Sequence, residues 1–403
     1  MNILVLNCGS SSAKFAVIDA NTGQEFISGL AQRLGSPQAT LDWKSQAGKN
    51  STALAGASHD TALRAVVDLL RDLRLMEDLK GIGHRVVHGG SRFSGPVTIT
   101  PAVEEMIGEC IQLGPLHNPP NLLGIHIAKE LLPKLPQVAV FDTAFHQTKP
   151  KRAYTYPVPY AWLEQHQVRR YGFHGTSHRF VSQEAIRELG LSPGDNAVIT
   201  AHLGNGCSCA AVRNGKSVDT TMGLTPLEGL VMGTRSGSVD PAIIGYMARA
   251  LHEPPEKILD ALNKQSGLLG LSGISNDMRV IAEAAARGHE RAALALEIFC
   301  YVLAKAVASL VVPLGRLDAL VFTGGIGENS VPVRARVVDQ LGFLGLAIDA
   351  SANADHGRTR GGRISSGGGP VVVVVPTNEE LMIAAETAEV VEAARVAGPP
   401  AGR

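Results

Sequence analysis

The sequence predicts an α/β fold made of two copies of one strand-rich unit, each with helices appended. Three observations predict it. Short apolar runs bounded by Gly, Ser, Asn and Pro recur along the chain and alternate with stretches of helical spacing. Residues 4–19, followed by "NTG", reappear in pattern at 199–212, followed by "NGK": an apolar run, a Gly-rich turn, a small-residue strand and a second turn. Glycine-rich turns follow apolar runs at 8–12, 204–206 and 324–327, and ligands in α/β sheets gather at the carboxyl ends of strands. Two unrelated hairpins can look alike; the matching order of elements after each pair argues for a duplication.

The elements follow in order. Ile3, Leu4, Val5 and Leu6 break into a glycine and three serines and resume as Phe15, Ala16, Val17 and Ile18. The nucleotide-binding loop G-x-x-x-x-G-K-[ST] fails here, because Ala13 precedes Lys14 and Phe15 follows it. Strand, tight turn, strand is the reading. Such a turn either aims N–H groups, serine hydroxyls and Lys14 at an anion or is an ordinary hairpin. Strands are predicted at 24–32, 40–43, 82–87, 138–141, 318–323 and 371–375. The last is an uninterrupted apolar run of the kind buried on both faces. Residues 44–59 and 351–370 are polar or Gly-rich and read as loops, the second with a short edge strand. Helices are predicted at 63–73, 119–132, 241–251, 255–264, 277–287, 290–312 and 378–394, with a frayed tail from 396. Ser330 is placed to cap a helix whose first turn holds Pro332.

Bulk properties narrow the function. A chain of 403 residues has room for roughly two or three domains at ~150 each. A formal net charge of zero favours neither nucleic acid nor an anionic membrane as partner, and a 4% aromatic content argues against a base-stacking platform. Five cysteines without a C-x-x-C spacing indicate neither a disulfide framework nor a zinc ribbon and fit a reducing, cytoplasmic setting. No signal peptide is read at the N-terminus. The apolar stretch 298–312 carries Lys305 and falls short of the ~20 residues of a membrane span, so it reads as a buried helix.

Charged residues stand at predicted strand ends. Arg85 lies in "GHRVVHGG", Arg235 in "GTRSGSVDP", and Asp142 follows "VAVF". A guanidinium fork matches carboxylate or phosphate oxygens two at a time; alternatively each arginine is a surface ion pair. In "YGFHGTSHRF" a helix start at Gly175–Ser177 puts His174 outside the helix, facing a ligand, and gives His178 a structural role rather than a share in a zinc site. His202 and His117 border ligand-like loops, while His84 and His88 read as core or as supports. Thr377 and Glu380 fit the capping box T-x-x-E, which leaves Glu379 to hold a metal through water or to favour the helix dipole.

Ten ordered motifs, among them "NCGSSSAKF", "HRVVHGG", "LHNPPN", "VFDTAFHQT", "AHLGNGCS", "MGTRSG", "FTGGIGENS" and "PTNEEL", make the chain resemble the acetokinase family over nearly its whole length. The resemblance implies two duplicated actin-like, ribonuclease H-like domains with a nucleotide cleft between them. It places a first domain at 1–148, completed by the C-terminal helix 381–403, and a nucleotide-binding second domain at 149–380. It implies Mg²⁺ (or Mn²⁺) at Asn7 and Glu379, and ATP or ADP at Lys14, His202, Leu203, Gly204, Asn205, Gly206, Asp277, Met278, Arg279, Gly325, Ile326, Gly327, Glu328 and Asn329. It assigns catalysis to Arg85, Asp142, His174 and Arg235. Arg85, Val87, Leu116, His117, Phe173 and Pro226 would bind the acid, the apolar ones around its methyl group. The implied reaction is reversible transfer of the ATP γ-phosphoryl to acetate, giving acetyl phosphate and ADP, with propionate as the alternative acid and a homodimer as the expected assembly. Ser238 and Val280 depart from the family pattern, where acidic residues are common. A chaperone-like ATPase lacks a small-acid site, and a sugar kinase needs polar groups where Val87, Leu116 and Phe173 stand.

Overall fold

A computed structural model describes residues 1–115 and 117–397. Leu116 and the tail from 398 lie outside the described residues. The chain divides into two compact units: residues Met1–Phe145 joined by the chain from Asn378 onward, and residues His146–Thr377.

The first unit holds an eight-stranded sheet of β1 (Asn2–Gly9), β2 (Ser12–Asp19), β3 (Glu25–Gln32), β4 (Thr40–Ser45), β5 (Gly48–Ala53), β6 (Leu79–Val86), β7 (Val97–Thr98) and β8 (Gln137–Phe141), in the order β5-β4-β3-β2-β1-β6-β8-β7. The second holds a five-stranded sheet of β9 (Ala197–Leu203), β10 (Cys207–Arg213), β11 (Lys216–Thr220), β12 (Ala319–Thr323) and β13 (Val371–Val374), in the order β11-β10-β9-β12-β13. In each, three antiparallel strands in chain order are extended from the first strand by two parallel ones. The duplication is therefore real at the level of topology, and the fold is the two-domain actin-like α/β architecture.

Each sheet carries a helix on an equivalent face. In the first unit, Ile3, Val5, Ala16, Ile18, Val138 and Val140 pack against Ile383, Ala384, Ala388 and Val391 of helix Glu379–Ala397. Gly81 and Gly83 of β6 let that helix approach: a Cβ on Gly83 would collide with Thr387 Oγ1 and lie 2.8 Å from Ile383 Cγ2. In the second unit, Val198, Ala319, Val321 and Val373 pack against Val181 and Ala185 of helix Gly175–Glu188. The long apolar helix Glu290–Leu314, which by length and composition alone could cross a membrane, runs across β9, β10 and β11. Its buried side includes Leu296, Phe299, Leu303, Val307, Leu310 and Leu314, so it is a core helix.

Two stretches read as loops contain regular structure. Residues 48–53 form β5, whose every residue is exposed, so no apolar alternation marks it. Residues 351–370 contain a short helix, Ala350–Ala354, capped by Asp349, and bridges from Ile348 to Ser365 and from Arg363 to Val373.

Candidate active site

In a strand, side chains alternate between faces. Ile3 and Val5 face the C-terminal helix, so Asn7 does also. The same count along β2 adds Lys14, the register partner of Asn7. Gly81 and Gly83 put Arg85 on this face, next to Asn7 because Leu6 pairs with His84. Val138 and Val140 bring Asp142 there, its N–H bonded to Val86 O. Four predicted site residues scattered over the first unit's sequence thus form one row, at the end of the sheet where Glu379 and Glu380 open the helix.

The row is ion-paired. Arg85 donates from Nε to Asp142 Oδ1 at 2.9 Å and from its terminal nitrogen to Oδ2 at 2.7 Å, a full fork on a buried carboxylate. Its other terminal nitrogen lies 3.8 Å from Glu379. Burial opposes the Arg85 charge, but Asp142 and Glu379 outweigh it and raise its pKa. Lys14 pairs with Glu380. The capping box is therefore overturned. Asn378 caps the helix, its Oδ1 accepting from Leu381 N at 2.9 Å, because Thr377 is engaged elsewhere: its N–H donates to Glu328 Oε1 and its hydroxyl meets Ser177 Oγ.

The opening turn is the strand–turn–strand expected, with Ser10 and Ser11 exposed at its tip. Three residues that the sequence reading passed over hold it and its neighbours. Asn121 donates to Cys8 O at 2.8 Å and accepts from Val87 N at 3.0 Å. Asn118 brackets His88, accepting from its N–H and donating to its carbonyl. His59 Nε2 lies 2.7 Å from Gly9 O. The two asparagines of "LHNPPN" thus fix the backbone beside Val87. His117 sits at the N-cap of helix Asn118–Leu131.

The second unit encloses a cavity of about 810 Å³ at the strand ends, walled by Gly204 and Asn205 after β9, Asp277–Arg279 at a helix start, and Gly325, Ile326 and Asn329 after β12. Asn276, Ala282, Glu283, Ser330 and Pro332 complete the wall and were not anticipated. Arg279 lies folded onto Asp277 through two side-chain hydrogen bonds. Ser330 stands at the N-cap of helix Val331–Asp339 but its side chain makes no cap bond.

Of the second unit's residues expected at the nucleotide, five do not line this cavity: His202, Leu203, Gly206, Gly327 and Glu328. Leu203 and Gly327 are buried behind it. Glu328 turns its carboxylate back to cap Gly324 N at 2.9 Å. His202 stacks on His174 with ring centroids 4.4 Å apart. Behind the short helix Gly324–Asn329, the fully buried Arg334 donates to the carbonyls of Gly327 and Glu328, both at 2.9 Å, and to Asn353. Among the described residues no carboxylate pairs with it, and burial lowers its pKa to about 10.

His174, with φ of 54°, stands just before helix Gly175–Glu188. A Cβ on Gly206 would lie 3.2 Å from His174 Nε2 and 3.6 Å from an Arg235 terminal nitrogen, so both groups converge over that glycine. The same Arg235 nitrogen donates to Pro226 O at 3.1 Å, and burial lowers its pKa. Phe173 is buried, its carbonyl 3.0 Å from His146 Nε2. His146, which burial lowers to about 3, lies 2.8 Å from Ser217 Oγ. Of the two departures, Ser238 accepts from Gly229 N and closes the loop that carries Arg235, whereas Val280 is an exposed apolar side chain.

Glycine-lined walls at strand ends, a cavity large enough for a nucleotide and a cation with an imidazole over one glycine suit a phosphotransferase of the actin-like class. The comparisons carry this further. The chain belongs to the acetokinase family, which it matches over residues 2–385. It is 51% identical to the acetate kinase of Chromobacterium violaceum over 96% of this chain and 98% of that one. Among solved structures it is similar to a propionate kinase from Francisella tularensis, at 47% identity and a TM-score of 0.93, and to Porphyromonas gingivalis acetate kinase, at 42% and 0.90. Both alignments cover 96% of this chain and 99% of the other.

Proposed function

We propose that this protein is an acetate kinase that reversibly transfers the γ-phosphoryl group of ATP to a carboxylate oxygen of acetate, forming acetyl phosphate and ADP. The observation that carries the proposal is the convergence of His174 and Arg235 over Gly206, beside the cavity that would take the nucleotide. Phosphoryl transfer depends on positioning and on positive or donor groups placed where charge develops.

Acetate, with a pKa near that of ordinary carboxyls (~4), is already ionised at neutral pH. The nucleophile needs no base. The difficulty is bringing two anions together. Arg85 would meet the acid's carboxylate, and Asp142, which holds its fork, acts as the positioning group for Arg85 rather than as a proton abstractor. By likeness to the family, Val87 and His117 in the first unit and Phe173 and Pro226 in the second are the proposed acid-binding residues; Leu116 lies outside the described residues. His174 and Arg235 would stabilise the phosphoryl in flight. Lys14, His202, the glycines of residues 204–206 and 325–327, Asn205, Asp277–Arg279 and Asn329 would hold or back the nucleotide.

Asn7 and Glu379 offer hard oxygen donors on one face of the sheet, a set suited to Mg²⁺, which binds through one or two protein ligands plus waters and phosphates. When bound, such an ion would neutralise phosphate charge. We further propose a homodimer in the cytoplasm.

The test is hydroxamate trapping of the acyl phosphate formed from ATP with acetate, propionate or butyrate. Acetate should give the highest kcat/KM. Likeness to the propionate kinase favours one second reading, and because a methylene is worth only ~1–3 kcal/mol in an apolar pocket, propionate should be a slower substrate. Absence of acyl phosphate with every acid would overturn the proposal.

A further inference from the structure

Ser208 Oγ lies between two imidazoles, 2.9 Å from His174 Nδ1 and 2.7 Å from His178 Nε2. On its far side, His178 Nδ1 lies 2.7 Å from Thr200 Oγ1. Thr200, His178 and Ser208 are wholly buried. Alternation explains the meeting: Thr200 and His202 lie on the helix face of β9, Ser208 is the register partner of His202, and His174 and His178 stand one turn apart at the start of the covering helix. The result is a chain of hydrogen bonds from the core at Thr200 to His174, whose Nε2, like a terminal nitrogen of Arg235, faces Gly206.

A hydroxyl and a neutral imidazole each carry one proton, so Ser208 can donate to only one of its two imidazoles. With Ser208 donating to one imidazole and accepting from the other, the protons can be ordered in two ways. In one, Thr200 donates to His178, His178 Nε2–H to Ser208, and Ser208 to His174 Nδ1, which leaves the His174 proton on Nε2. In the other, every bond is reversed and Nε2 presents a lone pair. Only the first ordering offers a donor to an anionic phosphoryl oxygen. Burial holds His178 neutral, its pKa well below the usual value with His146 and His202 adding to the effect. The inner links therefore stay an ordered relay rather than becoming a charged group.

We infer that Ser208, His178 and Thr200 are positioning residues that fix His174 as the Nε2–H tautomer, making it a neutral donor to the transferring phosphoryl group. This rests on the proposed role of His174, and the tests separate the two. In the full-length protein labelled with ¹⁵N-histidine, with the His174→Gln spectrum giving the assignment, His174 Nε2 should be protonated and Nδ1 bare. Ser208→Ala should lower kcat about 10–100-fold, the size of loss seen when a metal-bound histidine loses the partner that orients it, with KM for ATP and acetate little changed. Ser208→Thr should recover most of the loss. A proton on Nδ1 in the wild type, or Ser208→Ala with both unaltered kcat and unaltered His174 shifts, would overturn the inference. Should Ser208→Ala fail to fold, Thr200→Val and the wild-type spectrum decide it. Wild-type turnover in His174→Ala would instead remove His174 from the proposed mechanism, whatever the tautomer.

Discussion

The two units place different chemistry on the same scaffold. Asn7 and His202 occupy corresponding positions near the end of the central strand, and their register partners are Lys14 and Ser208. In both units a helix lies over this row and starts beside it. In the first unit the row is ionic: Lys14 with Glu380, Arg85 with Asp142 and Glu379. In the second it is a web of imidazoles and hydroxyls, His174, Ser208, His178, Thr200, Ser177 and His202, with Arg235 as the cation at its edge. Topology sets where side chains converge; which side chains stand there sets what they can hold. A carboxylate with a hydrated cation suits the first row. A polyanion suits donors that carry no counter-charge of their own.

The sharpest way to break this contrast is to remove the donors of the second row. His174→Ala and Arg235→Ala should each lower kcat by ~10²–10³ in the acyl phosphate assay. In the first row, Arg85→Lys should also fail to restore turnover, because lysine cannot replace a fork held at two points by Asp142. Wild-type turnover in any of the three would remove that residue from the site.

The next largest effect concerns the wall of the nucleotide cavity. Arg334→Met strips partners from the buried Gly327 carbonyl and from the side chain and carbonyl of buried Asn353, while the half-buried Glu328 carbonyl keeps His356. A loss of about 3 kcal/mol or more is expected, since each orphaned buried group costs ~1–3 kcal/mol. KM for ATP should rise more than KM for acetate. Equal changes in both would show that Arg334 supports the fold at large and not the Gly324–Asn329 segment.

Acid should separate the units. His84 in the first is lowered to about 4 by burial, and His146 in the second to about 3, with His178 well below its usual value. The unfolded chain protonates these groups near pH 6.5 while the folded chain does not. Stability is therefore complete above about pH 6.5 and falls as pH drops below it. The loss is about 2 kcal/mol per histidine between pH 6.5 and 5. Urea unfolding at both pH values should show His146→Gln flattening the slope of the second unit and His84→Gln that of the first. An unchanged slope in either variant would mean that its histidine is protonated in the native state.

How much of this was legible in the sequence depends on whether the signal was local. Strands and helices with strong periodicity were found, and the start of the helix after His174 was read from Gly175–Ser177. The exposed β5 was missed because it has no apolar side to alternate. Arg334 reads as a solvent residue on a short helix; nothing nearby announces that its guanidinium replaces a carboxylate partner with carbonyls. The gathering of Asn7, Lys14, Arg85 and Asp142 was not visible as geometry, because it depends on registers between strands far apart in the chain. Likewise Ser208 was only a small residue in "GCSC" until β9 and β10 paired.

The smallest effects test the correction at the C-terminal helix. If Asn378 is the cap, Asn378→Ala should cost about 1 kcal/mol, seen as a lowered urea midpoint. Glu380→Gln should cost less, within the ~0–1 kcal/mol typical of ion pairs with an exposed partner, because Lys14 is about half exposed. A capping box predicts the opposite, since Thr377 and Glu380 would then hold the first turn together and Asn378 would be idle. The comparison also reaches function. Glu379 sits in that same first turn, 3.8 Å from Arg85, so loosening the cap should raise the Mg²⁺ concentration needed for half-maximal turnover. Glu380→Gln leaves the cap intact and should leave that concentration nearly unchanged. If the two variants ranked the other way in both stability and Mg²⁺ dependence, the helix start would be held as the sequence pattern suggested, and the charged row of the first unit would have to be redrawn around Glu380.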